Sequence, residues 1–147
     1  MATTQPGQRI SLVPSDRARK PMHPARKRLI VAVLLVMVGS FLPWIYVGGV
    51  PKSGALGPGL WTFYGSMLGV AGVLLPFHKV GAVHAGLMAV VALFVPAWQV
   101  VHILGLVGFG GWMPGPGLVM VFGGGVVAVG CAIRLFRASA VSIATRP

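Results

Sequence analysis

Residues 29–47 read LIVAVLLVMVGSFLPWIYV, a run of 19 residues without a charge. As one α-helix the run would extend about 28 Å at 1.5 Å per residue, enough to cross the hydrocarbon of a bilayer. Whether it is a single crossing decides the fold, because the other apolar runs pair off around it. Its basic start would suit a signal peptide, but the apolar part is long and no small-residue cleavage site follows. It therefore reads as a retained anchor.

Apolar runs of the same kind follow at 60–77, 80–107 and 118–136, the third interrupted by Pro96. The chain has 147 residues, 56% of them hydrophobic, with a mean hydropathy of +0.87 and only 9% charged residues. A soluble domain carries roughly a quarter charged residues. Asp16 is the single acidic residue, and Glu and Asn do not occur. These features predict an all-α membrane protein with four transmembrane helices at 29–136. A basic disordered tail at 1–28 precedes it, and a short tail at 137–147 follows. The abundance of Ala, Gly, Val, Pro and Arg points to a GC-rich bacterium.

The net charge is +11, and seven of the twelve Lys and Arg lie in the first 28 residues. A basic tail beside an apolar run engages anionic headgroups at roughly 1 kcal/mol per residue near the surface. Arg17, Arg19, Lys20, Arg26, Lys27 and Arg28 are the candidate contacts to anionic lipid or an acidic partner. No folded basic domain hosts them, so a nucleic-acid partner is not expected. With four crossings, eleven of the twelve cations fall on one side and only Lys52 on the other. That predicts a multi-pass protein of the bacterial plasma (inner) membrane, N-in and C-in, with both termini cytoplasmic. Trp44, Trp61, Trp98, Trp112, Tyr46 and Tyr64 would form the outer aromatic belt.

GPGL occurs at 57–60 and again at 115–118. Each copy opens an apolar run, where Gly permits unusual backbone angles and Pro suits the first turn of a helix. Aligned on the motif, Gly65 matches Gly123 and Gly72 matches Gly130. The chain thus reads as two tandem helical hairpins related by a pseudo-two-fold axis along the membrane normal. Gly65, Gly69, Gly72, Gly123 and Gly130 are the expected helix-packing positions.

The runs contain no carboxylate, no Ser-His-Asp set, no phosphate loop and no zinc-ligand spacing, so no enzymatic activity is expected. Cys131 is the lone cysteine and reads as a small buried hydrophobe. His84 and His102 are the remaining candidates for a haem or quinone. They stand 18 residues apart on one helix, about 27 Å, and cannot share one iron. Both are more simply interfacial residues, as are Trp98 and Gln99 beside Pro96, and no bound cofactor is the first expectation. Together these features predict a non-enzymatic accessory or scaffolding subunit of a larger inner-membrane complex, with other membrane-protein subunits as partners. The alternatives are a small oligomeric transporter or channel, and a haem- or quinone-binding redox membrane subunit.

Overall fold

The computed structural model describes residues 24–144. The elements run α1 (Pro24–Phe41), β1 (Pro43–Val47), β2 (Val50–Ser53), a 3-10 turn (Gly54–Leu56), α2 (Gly59–Leu74), α3 (His78–Val107), β3 (Trp112–Pro114) and α4 (Pro116–Ala144). The helices are antiparallel to their neighbours. Arg26 at the start of α1 reaches Leu75 at the end of α2. Gly39 near the end of α1 packs on Gly117 and Met120 at the start of α4, and Gly65 and Gly69 of α2 face Val91 and Met88 of α3. One end of the bundle therefore holds the start of α1 and of α3 and the close of α2 and α4. The other end carries the strands.

Residues 29–47 are not one helix. Pro43 has no N–H to continue the ladder, and its ring disfavours helical backbone at Leu42. The helix stops at Phe41, and Pro43–Val47 becomes a strand. Gly48 and Gly49, with φ of +56° and +80°, turn the chain in two residues, so that Val47 pairs with Val50 and Tyr46 with Pro51. Two positive φ values are what a tight hairpin turn of the primed type requires, and glycine supplies them without steric cost. β3 pairs with the free edge of β1, giving an antiparallel sheet of order β2-β1-β3. Pro51 and Pro114 lie on the two edge strands, where a missing donor blunts further pairing.

The β1–β2 register shifts between Pro43 and Ile45, so Trp44 lies in a bulge. The bulge aims the indole into the bundle, where Trp44 is 2% exposed and donates its Nε1 hydrogen to Gly39 O at 3.0 Å. Trp44 is thus a core residue and not a member of an aromatic belt.

The interior is built mainly from small side chains. Ala32, Ala85, Ala89, Ala92, Ala128, Ser40, Thr62 and Ser66 are buried, together with Leu29, Val36, Met88 and Val121. The larger residues of the same helices point outward: Val31, Leu34 and Val38 on α1, Leu87, Val90, Phe94 and Val101 on α3, and Phe122, Val126 and Ile133 on α4. Small residues let helix backbones approach closely. Gly124 lies against Val36 and Ala32, and Gly125 against Leu93. The interior hydroxyls are satisfied. Ser40 Oγ lies 2.6 Å from Val36 O, Thr62 Oγ1 lies 2.8 Å from Gly59 O, and the two hydroxyl oxygens are 2.8 Å apart, so their two hydrogens make two of these three bonds at a time.

These observations correct the expected architecture. Two helices, His78–Val107 and Pro116–Ala140, are long and apolar enough to cross a membrane. α2 has 16 residues, about 24 Å of helix, and falls short. α1 carries Arg26, Lys27 and Arg28 in its first turns, and the apolar part from there to its end at Phe41 spans roughly 20 Å. The fold is mixed α/β and not an all-α bundle of four transmembrane helices. The tandem hairpins fail as a repeat for the same reason. The first half contributes two strands and helices of 18 and 16 residues, and the second one strand and helices of 30 and 29. No pseudo-two-fold along a membrane normal relates them. The N-in, C-in orientation and the bacterial inner-membrane location with both termini cytoplasmic were inferred from four crossings, and two candidate spans do not support them. The same finding overturns the three functions built on a four-span bundle: the accessory or scaffolding subunit, the oligomeric transporter or channel, and the haem- or quinone-binding redox membrane subunit.

Candidate functional site

Charge is gathered at the end of the bundle opposite the sheet. Arg26, Lys27 and Arg28 lie in the first turns of α1, Lys79 follows His78 at the start of α3, and Arg134 and Arg137 lie toward the close of α4. Lys52 in β2, at the sheet end, is the exception among the described residues. Arg17, Arg19 and Lys20 fall outside the described residues. Arg26 is structurally employed, donating from its guanidinium to Leu75 O at the last turn of α2. Lys27, Arg28, Lys79, Arg134 and Arg137 are exposed.

Helix stability does not account for the cations that open α1 and α3. A helix N-terminus carries partial positive charge, so a cation there is disfavoured by about 0.3–1 kcal/mol. The first turns of both helices hold basic residues and no acidic one. Among the described residues there is no carboxylate to pair with them, and the only acidic residue of the chain is Asp16. Among the described residues this end is a cationic rim with no carboxylate in it, beside an apolar flank.

That flank is formed by α3 and α4. In their most apolar windows only 17% and 39% of residues are buried, whereas the core helix of a soluble protein would be mostly buried. Phe94 is 65% exposed and Phe136 equally so. A contiguous exposed apolar surface of this kind marks a site of contact with a membrane or another protein.

At the sheet end, a cleft of about 460 Å³ opens between the start of α2 and α3, lined by Trp61, Phe94, Trp98, Gln99 and His102. A smaller recess of about 210 Å³ adjoins it through Gly57, Pro58 and Gln99, with Lys52 on its wall. His102 is exposed in the larger cleft, whereas His84 lies one turn from Lys79, its Nδ1 held 2.8 Å from Val80 O on its own helix. The two candidate histidines thus lie toward opposite ends of α3. Among the described residues no group of three His, Cys, Asp or Glu is placed to hold a metal ion. Cys131 is buried in the core.

Comparison with family models, with curated proteins and with solved structures finds no match.

The expected packing glycines separate into two groups. Gly65 lies against Val91, Gly69 against Met88 and Val33, and Gly72 against the carbonyl of Gly81. A Cβ at Gly123 or Gly130 would meet no atom within 4 Å. The close approaches on α4 are made at Gly117, Gly124 and Gly125. Both GPGL motifs contact the same place: Gly59 lies on the carbonyl of Ser40, and Gly117 on those of Gly39 and Leu42. The motif seats two helix starts on the last turn of α1. The Ser40–Thr62 pair escaped sequence reasoning because each residue alone reads as an ordinary small polar residue in an apolar run.

Proposed function

We propose that this protein binds anionic lipid bilayers, with the flank of α3 and α4 in hydrocarbon and the cationic rim on headgroups. The observation that carries the reading is the inverted distribution of size and polarity. Ala, Ser and Thr make up much of the interior of the helices, and most of their Val, Leu, Phe and Trp face outward. In water that arrangement forfeits about 25 cal/mol for every Å² of apolar surface left exposed. Against lipid chains it forfeits little, and the small residues hold the helices together by close contact. The rim supplies the charge: exposed Lys27, Arg28, Lys79, Arg134 and Arg137 gather at one end, where phosphate groups would also offset the dipole cost at the starts of α1 and α3.

Vesicle flotation tests this. The full chain, released from detergent, is expected to float with phosphatidylglycerol vesicles and less completely with phosphatidylcholine vesicles. Raising the salt from 50 to 500 mM narrows the difference, because the headgroup term is screened. Replacing Lys27 and Arg28 with Gln is expected to weaken binding to the anionic vesicles about thirtyfold, from roughly 1 kcal/mol for each residue. A chain that stays monomeric in detergent-free buffer and fails to float with either vesicle would refute the proposal.

A further inference from the structure

At the basic end, a groove of about 340 Å³ runs between α3 and α4. Ala82, which is buried, and Ala132, which is half-buried, form its floor. Val83, Ile133 and Phe136, which are 55%, 47% and 65% exposed, form its walls. The one charged residue that lines it is Arg137. The apolar part is of the kind that takes a hydrocarbon chain, and it ends beside a guanidinium.

Arg137 makes no hydrogen bond or ion pair with any described residue, and the described residues contain no carboxylate. Arg134 lies one turn before it on α4, and Lys79 one turn before Ala82 on α3. The field at this end of the groove is therefore positive on both helices. A guanidinium presents paired donors that match a phosphate or carboxylate with two parallel bonds. A neutral amphiphile would fill the apolar part and leave Arg137 without a partner. A zwitterionic one would set its own cation against Arg134 and Lys79. Shape and charge together select a chain with an anionic head.

We propose that this groove is a site for a single anionic lipid, with one acyl chain between Val83, Ile133 and Phe136 and the phosphate on Arg137. The proposal rests on the anionic-lipid reading above and makes it specific: one lipid is held in a defined place and not only attracted to a charged rim.

The test is native mass spectrometry of the full chain in a mild detergent, titrated with phosphatidylglycerol or phosphatidylcholine. A one-to-one adduct is expected with phosphatidylglycerol at concentrations that give none with phosphatidylcholine. Arg137→Gln is expected to weaken the adduct roughly tenfold to a hundredfold, the range for a lost hydrogen-bonded charge partner. Ala132→Phe fills the floor and is expected to abolish the adduct while Arg137 remains in place. Excess inorganic phosphate is expected not to displace the lipid. Displacement by phosphate would mean that the site takes the ion alone and would overturn the proposal. So would equal adducts with the two lipids, or a one-to-one adduct that survives in both variants. Flotation on the same preparation separates the two readings. Anionic vesicles bound without a one-to-one adduct remove the groove only, and failure to float removes the bilayer reading as well.

Discussion

Gly117→Ala and Gly123→Ala add the same methyl group to the same helix, six positions apart, and the structure assigns them opposite signs. A Cβ at Gly117 would lie 2.7 Å from Gly39 O, 2.8 Å from Leu42 O and 2.8 Å from Trp44 Cδ1. Two of these atoms are main-chain oxygens in and just after the last turn of α1, and the third belongs to a buried indole held by its own hydrogen bond. None can swing aside as the tip of a flexible side chain would. Relief requires α4 to move off α1, and overpacking of this kind costs about 1–3 kcal/mol. At Gly123 the new methyl meets nothing within 4 Å. Replacing a mid-helix Gly with Ala there is expected to stabilise by about 0.5–1 kcal/mol through reduced backbone entropy of the unfolded chain. With roughly 2–4 °C per kcal/mol for a chain of this size, Gly117→Ala should melt about 2–12 °C lower and Gly123→Ala about 1–4 °C higher. The measurement is thermal unfolding in a mild detergent, followed by far-UV circular dichroism and by tryptophan fluorescence. A Gly117→Ala protein that melts at or above the unsubstituted one would refute the close packing of α4 on α1.

Two further outcomes follow from the same contacts. Ser40→Ala and Thr62→Val should each lower stability by about 1 kcal/mol. Because their hydroxyls share one bond, the double variant should lose less than the sum, by roughly 0.5–1.5 kcal/mol in a double-mutant cycle. Gly49, at φ +80°, should accept Asn with little change, whereas Gly49→Val should cost about 1–2 kcal/mol. Melting temperatures of the two Gly49 variants check this, and equal values would speak against the hairpin turn.

The long apolar runs were the readable part of the sequence. Residues 80–107 and 118–136 lie within α3 and α4, because a helix of that length in apolar surroundings needs only continuous hydrophobic side chains. The strands were hidden by the same criterion. A count of uncharged residues runs straight through Leu42-Pro43, and PWIYV is as apolar as the helix before it. The contrary signal was local. Val47-Gly48-Gly49-Val50 is a two-residue hairpin pattern, flanked by a β-branched and aromatic stretch. Taken with Pro43, it divides 29–47 into helix and strand. The repeated GPGL was visible, but its meaning was not. It marks two helix starts that settle on one turn of α1, and that contact lies in the third dimension. Gly123 and Gly130 matched Gly65 and Gly72 by position, yet they face outward, since an alignment of glycines carries no information about which side of a helix meets a neighbour. The cationic rim was partly legible as a cluster at the start of the chain. The alternation of the apolar runs also put Lys79, Arg134 and Arg137 on the side of that cluster, and the antiparallel course of the helices brings them to the same end as Arg26, Lys27 and Arg28.

β1 lies in the middle of the sheet, and its two edges are filled from very different distances along the chain. β2 arrives after a turn of two residues, an event of microseconds. β3 must come from about 65 residues away, and closing that longer loop costs roughly 3 kcal/mol more entropy. Loop entropy therefore favours pairing β1 with β2 before β3 docks. While α3 and α4 are still finding their places, the second edge of β1 is an open seat, and Trp112–Pro114 is the latch that takes it. A latch of three residues holds weakly, and an identical strand from another copy fits the same seat. This topology permits β3 to be exchanged between molecules, and an interlocked dimer formed from concentrated refolding chains would be its sign.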